Sequence, residues 1–186
     1  MVSKLYRFLL TLIATLLMFG SPEALDSNAT PLQQLYIMKE LVPNLQTVGL
    51  IWKQSSVNSS DLLPKIQRAA AATSLKVVIA DAEELREVAE KFRDLTDNYR
   101  IQALWILTND DLTGNSLSQD FLIKNAVMKG IPIFAPNTDW VSKGACATLL
   151  NEGGSVKLFV NKKTADVLKI KIPEKYMATT QFLATN

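Results

Sequence analysis

Between Gln46 and Leu150 short apolar runs alternate with segments of helical period, and this alternation constrains the chain more than any single motif. The apolar runs are "QTVGLIW" (46–52), "LKVVIA" (75–80), "IQALWILT" (101–108), "IPIFAP" (131–136) and "ACATLL" (145–150). They are apolar nearly throughout, as strands are when both sheet faces are covered. Helices are expected over 30–43, 61–73, 81–97 and 116–130. Thr30 is an N-cap followed by Pro31 at the first helical position, and Pro43 lies beyond that helix's end. Ser59 or Ser60 caps the second helix, with Pro64 in its first turn, and Gly130 ends the fourth. In the third, Leu85, Val88, Ala89, Phe92 and Leu95 form one apolar stripe. Strand–helix–strand units of this spacing cross over right-handedly, which gives an α/β fold: a three-layer parallel sheet with helices on both faces.

Such a sheet binds ligands in the crevice at the carboxyl ends of its strands. Three strands here end in small polar side chains: "KQSSVNSS" follows the first, "TNDD" the third and "PNTDW" the fourth. A local reading of the same residues is open too. They can cap the following helices, where acidic side chains gain from the helix dipole. "NDDLTGNSLSQD" loosely matches a calcium loop, but its first position lacks Asp and its last lacks Glu, and the strand before it does not suit an EF-hand. Trp52 and Trp105 lie in strand patterns and read as core; Trp140 borders a polar loop, where it can cover a ligand or face a partner.

The 186 residues contain no His and one Cys. The commonest general base and metal ligand is therefore missing, no internal disulfide can form, and Cys146 reads as a small buried hydrophobe. No metal, cofactor or catalytic residue is expected, and no nucleophile-elbow motif is present. The net charge of +2 gives no footprint for nucleic acid, and the lysines from Lys157 to Lys171 read as a solvated face.

Lys4 and Arg7 precede an apolar run from Phe8 to Phe19 and then Gly-Ser-Pro, the layout of a secretory signal peptide. The run is shorter than the roughly 20 residues of a membrane span. Cleavage is expected after Ala24, with Ala29 as a second option, and an uncleaved inner-membrane anchor is the alternative. The division expected is a signal peptide over 1–24, a helix and linker over 25–44, one domain over 45–176 and a flexible tail over 177–186. Export to a periplasm follows, with membrane contact only through an uncleaved leader.

"ATLLNEGGSVKLFV" predicts an antiparallel hairpin at the C-terminal edge of the sheet. Asn151-Glu152-Gly153-Gly154 is too short for a parallel crossover, and glycines supply the positive φ of a tight turn. Asn161 then caps a short helix, "KKTADVLK". The outer side of the last strand is expected to be an unpaired edge where an envelope partner could add a strand.

"LVPNLQTVGLIWKQSSVNSS", "ALWILTNDD", "IPIFAPNTDWVSKGACATLL" and "FVNKKTADVLKIKIPE" resemble, in that order, segments of the ABC transporter substrate-binding proteins of the aromatic amino-acid type. The resemblance runs from about Leu41 onward. It implies a type I periplasmic-binding-protein fold, reduced here to one of two lobes. It also implies ligand-binding roles for Asn58 and Ser59, for Thr108, Asn109 and Asp110, and for Asn137, Thr138 and Asp139.

Two function classes follow. One is a non-catalytic module that binds a small ligand, such as an amino acid, at the strand ends, linked to an ABC transporter. The other is a scaffold that docks to an envelope protein without a small ligand. A receiver-type phosphoacceptor is excluded because the first strand ends in Lys-Gln-Ser-Ser rather than in acids.

Overall fold

The computed structural model describes residues 29–152 and 154–184; the expected signal peptide lies outside them. Helix α1 is Pro31–Leu41, and strand β1 is Thr47–Trp52. Helix α2 (Ser59–Thr73), β2 (Lys76–Asp81), α3 (Leu85–Asp97) and β3 (Ala103–Trp105) continue the alternation. They are followed by α4 (Ser116–Met128), β4 (Ile133–Phe134) and α5 (Thr138–Lys143). The chain closes with β5 (Ala147–Glu152), β6 (Ser155–Asn161), α6 (Lys162–Val167), α7 (Glu174–Met177) and β7 (Thr180–Leu183).

The seven strands form one sheet in the order β2-β1-β3-β4-β5-β6-β7. The first five are mutually parallel, and β6 runs antiparallel to β5, pairing Glu152 with Ser155 and Ala147 with Val160. The mixed α/β sheet and the hairpin are those expected from the sequence. Gly154 supplies the turn's positive φ of 80°, and Asn161 caps α6 by accepting from the Thr164 N–H at 2.9 Å.

Each face of the sheet has its own core. Leu35, Met38 and Leu41 of α1 and Ile66 and Ala69 of α2 cover one face, with Trp105 beneath them. Val88, Phe92 and Leu95 of α3, Leu122 and Ala126 of α4 and Trp140 cover the other. Every helix that precedes or joins two parallel strands therefore points its N-terminus at the strand carboxyl ends, which gather the loops of interest on one end of the molecule.

Several expectations are corrected. The residues expected as a helix and linker outside the domain are part of its core, because α1 buries Leu35 and Met38 completely. The expected tail carries β7, which pairs parallel with β6 from Leu158–Thr180 to Asn161–Leu183. This pairing covers the β6 edge on which an envelope partner was expected to add a strand, because β7 satisfies the same backbone groups. The third helix starts at Leu85 rather than at residue 81, since β2 runs on to Asp81; Leu85 is 40% exposed at its first turn rather than in the buried stripe. Helix α2 starts at Ser59, so Pro64 sits inside it rather than in its first turn, on the exposed side where water replaces the lost N–H bond. Its N-cap is Asn58.

Candidate functional site

A cleft of about 820 Å³ opens at the carboxyl ends of β1 and β3 and runs between α1 and α2. Its near wall is the start of α1: Thr30, Pro31 and Leu32. The loop after β1 contributes Ser56, Val57 and Asn58, and the end of β3 contributes Leu107 and Thr108. The far wall is one side of α2, with Asp61, Leu62, Lys65, Arg68, Ala69 and Ala72. The floor is apolar and the rim is polar, a combination suited to a small amphipathic ligand.

The near wall is fixed by two layers of hydrogen bonds. Thr30 and Gln33 form a capping box: the Gln33 N–H donates to Thr30 Oγ1 at 3.3 Å and the Thr30 N–H to Gln33 Oε1 at 2.9 Å. Behind it, the buried Gln34 side chain donates to the Ala29 carbonyl at 2.7 Å and accepts from Trp105 Nε1 at 2.7 Å. α1 is thereby locked to the centre of the sheet.

Next to the cleft, Lys53 reaches from the end of β1 to Asp111, its Nζ lying 2.8 and 3.0 Å from the two carboxylate oxygens. The contact raises the Lys53 pKa and lowers that of Asp111. Glu83 accepts from the Ser55 hydroxyl at 2.6 Å and from the Ser55 N–H at 3.2 Å, which ties the loop after β1 to that after β2. Asp81, at the end of β2, has its carboxyl pKa raised by burial.

The structure separates the sequence-derived candidates into groups. Asn58 and Thr108 share the cleft. Ser59 begins α2 behind Asn58, whose Oδ1 accepts from the Ser60 hydroxyl at 2.7 Å. Asp110 holds its own loop together. Its Oδ1 accepts from the Leu112 and Thr113 N–H groups at 3.0 and 2.7 Å and from the Thr113 hydroxyl at 2.9 Å; its Oδ2 accepts from Thr108 Oγ1 at 3.0 Å. Gly114 is needed in this turn, for a Cβ there would lie 2.6 Å from the Asp110 carbonyl oxygen. Asn137 caps α5 by accepting from the Trp140 N–H at 3.2 Å, with Thr138 and Asp139 in the first turn. These three are outside the cleft, and Trp140 links them to the loop after β3: its Nε1 donates to Asn109 Oδ1 at 3.1 Å.

Trp140 is wholly buried, so the sequence reading of it as a cover for a ligand or a partner contact is corrected. It fills the core beneath the loop. Trp52 and Trp105 are core residues, as expected. Cys146 is buried too, which pushes its thiol pKa up to about 12 and keeps it protonated. Among the described residues no group of three or more His, Cys, Asp or Glu is placed to hold a metal ion. Sequence reasoning missed Asp61, Lys65 and Arg68. Their spacing of four and three residues puts them on one side of a helix, and Asn58 precedes them by three, so the stripe was there to be read.

The sequence model of a family described as ABC transporter substrate binding protein matches residues 26–152. No curated protein sequence matches the chain. Among solved structures, a ligand-free, open substrate binding protein with adhesive properties from Clostridium difficile superposes with a TM-score of 0.71 at 20% identity, covering 86% of this chain and 61% of the other. An ABC domain in complex with L-Trp from Streptococcus pneumoniae gives 0.71 at 20% identity, covering 84% and 62%. A conserved domain protein from Vibrio cholerae gives 0.70 at 20% identity, covering 84% and 61%. The chain thus spans about three fifths of the length of the structures it matches.

Proposed function

The chain belongs to the ABC transporter substrate-binding protein family, and from that premise we propose that it is an exported, non-catalytic domain that holds a small amino-acid-like ligand in the cleft between α1 and α2. The observation that carries this reading is the cleft itself, with Asn58, Thr108, Lys65 and Arg68 around an apolar floor of Val57, Leu62 and Ala69. An aromatic amino acid fits that division: its carboxylate meets the basic side chains and its ring the floor. The L-Trp complex of the pneumococcal relative supports this ligand class. The cleft leaves such a ligand open on one side, so affinity for this chain by itself is on the order of millimolar.

Isothermal titration of the purified protein with L-Trp, L-Leu and L-Asp tests the reading. Weak binding of L-Trp that is lost in Arg68→Ala and Thr108→Val is expected; no heat with any of the three ends the proposal. Micromolar binding would mean that another chain or a second copy closes the site.

Export fits the family's place beside a transporter, and no helix among the described residues is long and apolar enough to cross a membrane. Ala29 supports a cut after Ala24 rather than after Ala29. It is 3% exposed, and its carbonyl is the acceptor for Gln34. A cut after it would remove that acceptor from the core. The intact mass of the exported protein decides between the two sites.

A docking role remains as the second reading because of one feature of the same end of the molecule. Leu32, Leu85 and Leu117, in the first turns of α1, α3 and α4, are 48%, 40% and 66% exposed. An apolar rim around a polar mouth suits a protein or transporter surface.

A further inference from the structure

The last quarter of the chain concentrates charge that the rest does not have. Residues 155–175 contain six lysines against Asp166 and Glu174, a net +4 in a chain whose total is +2. The remainder is therefore net acidic. The fold places Lys162 and Lys163, at the start of α6, at the end of the molecule opposite the cleft, and Lys169 and Lys171 follow α6 in the chain. Lys157 pairs with Leu150 nearer the cleft end, and Lys175 meets Glu40 of α1. Strand β6 runs antiparallel to β5, so its last residues lie beside the amino end of β5, with the Asn161 N–H bonded to the Cys146 carbonyl at 2.9 Å. Helix α6 follows there, and β7 ends beside it, Leu183 pairing with Asn161.

Between α6 and the end of β7 lies a cleft of about 630 Å³, lined by Lys162, Lys163 and Asp166 and by the apolar Val167, Phe182 and Leu183. Val167 and Phe182 are 58% and 46% exposed. Lys157, Lys162 and Lys175 are engaged by Glu152, Asp166 and Glu40. Lys163, Lys169 and Lys171 are exposed and have no carboxylate partner among the described residues. Exposed apolar side chains beside the unpaired Lys163, with Lys169 and Lys171 in the segment after α6, form an amphipathic surface. Lysines meet headgroup phosphates while apolar side chains enter the acyl boundary.

We propose that this α6–β7 end is a docking surface for anionic lipid, which would hold the protein against a membrane with the ligand cleft turned away from it. Charge complementarity commits the surface to an anionic partner. The exposed Val167 and Phe182 favour lipid over a soluble polyanion, which would leave both in water. The proposal is independent of what the other cleft binds.

Vesicle flotation of the full chain tests it, with phosphatidylcholine vesicles that are neutral or contain about one third phosphatidylglycerol. The leader is common to every variant, so the differences between variants carry the result. The wild type is expected to float with anionic vesicles far more than with neutral ones, and less at high salt. The triple variant K163E/K169E/K171E is expected to lose roughly tenfold or more in apparent affinity. R86E/R93E/K124E, with the same charge change on exposed positions of α3 and α4, is expected to stay within about twofold. Phe182→Ser is expected to weaken flotation several-fold while leaving its salt dependence unchanged. Equal losses in the two triple variants overturn the docking surface. An unaffected Phe182→Ser overturns the lipid assignment and points to a soluble polyanion instead. Thermal melts of each variant confirm folding, since none of the substituted side chains is buried.

Discussion

Two buried tryptophans, one under each face of the sheet, make the same kind of hydrogen bond to an amide side chain. Trp105 donates to Gln34 at 2.7 Å and Trp140 to Asn109 at 3.1 Å. Both indoles are completely buried. The amides differ. Gln34 is 6% exposed and passes the bond on to the Ala29 carbonyl, so the relay is closed inside the core. Asn109 is exposed in the loop after β3, so that relay ends at the rim of the strand-end mouth. A buried donor without a partner has its full desolvation cost, whereas one that water can reach does not. The first relay is therefore a lock on the fold, and the second a tether that orients a loop.

The sharpest way to break the comparison is Gln34→Leu. It orphans the Trp105 N–H and the Ala29 carbonyl together, and the expected loss is about 2–4 kcal/mol in urea denaturation. A loss under 1 kcal/mol would mean that the relay is not closed to water. Trp140→Phe comes next, at about 1–2 kcal/mol, because it removes the N–H and part of the ring volume from a packed core. Asn109→Ala is expected to cost less than about 1 kcal/mol, since solvent reaches the vacated position. It is nonetheless expected to weaken any ligand response in titration, because the loop next to Thr108 loses its tether. If Asn109→Ala costs as much stability as Gln34→Leu, the two relays are equivalent and the distinction fails.

The smallest effect belongs to the Lys53–Asp111 pair at the same mouth. Lys53 holds the Asp111 carboxyl below its ordinary range, so this contribution is present above the unfolded pKa of about 3.9 and is lost as pH falls through the lower folded value. Asp111 raises Lys53, whose contribution is present below about 10.4 and is lost as pH rises through the higher folded value. Between these limits the pair is flat with pH. Both groups meet solvent, so Asp111→Asn is expected to move Tm by no more than about 2 °C from pH 5 to pH 9. A larger shift in melts over that range would place the pair among the structural locks.

Much of the fold was legible in the sequence. The periods of the apolar runs placed β1, β2 and the central helices, and the four residues after Leu150 forced the hairpin. The site was legible only in part. The strand-end loops follow from topology, and Asn58 and Thr108 do share a cleft. Asp110, whose carboxylate accepts four bonds from its own loop, cannot be told from a ligand-facing acid by residue type.

The sequence by itself determined the local order: which segments are strands, which are helices, where caps and turns fall, and that parallel strands open their carboxyl ends at one side. Those properties depend on neighbours within a few residues, and such spacing is written in the chain. Only the tertiary structure decided that residues 180–183 close the sheet as β7, that Gln34 meets Trp105 across 71 positions, and that Lys162 and Lys163 stand beside β7 at the end opposite the cleft. "TQFL" has no period of its own to announce a strand; it becomes one because β6 offers an edge with unpaired backbone groups. Contacts between distant segments depend on how the sheet is assembled, and assembly is fixed by burial and backbone pairing across the whole chain rather than by any stretch of it.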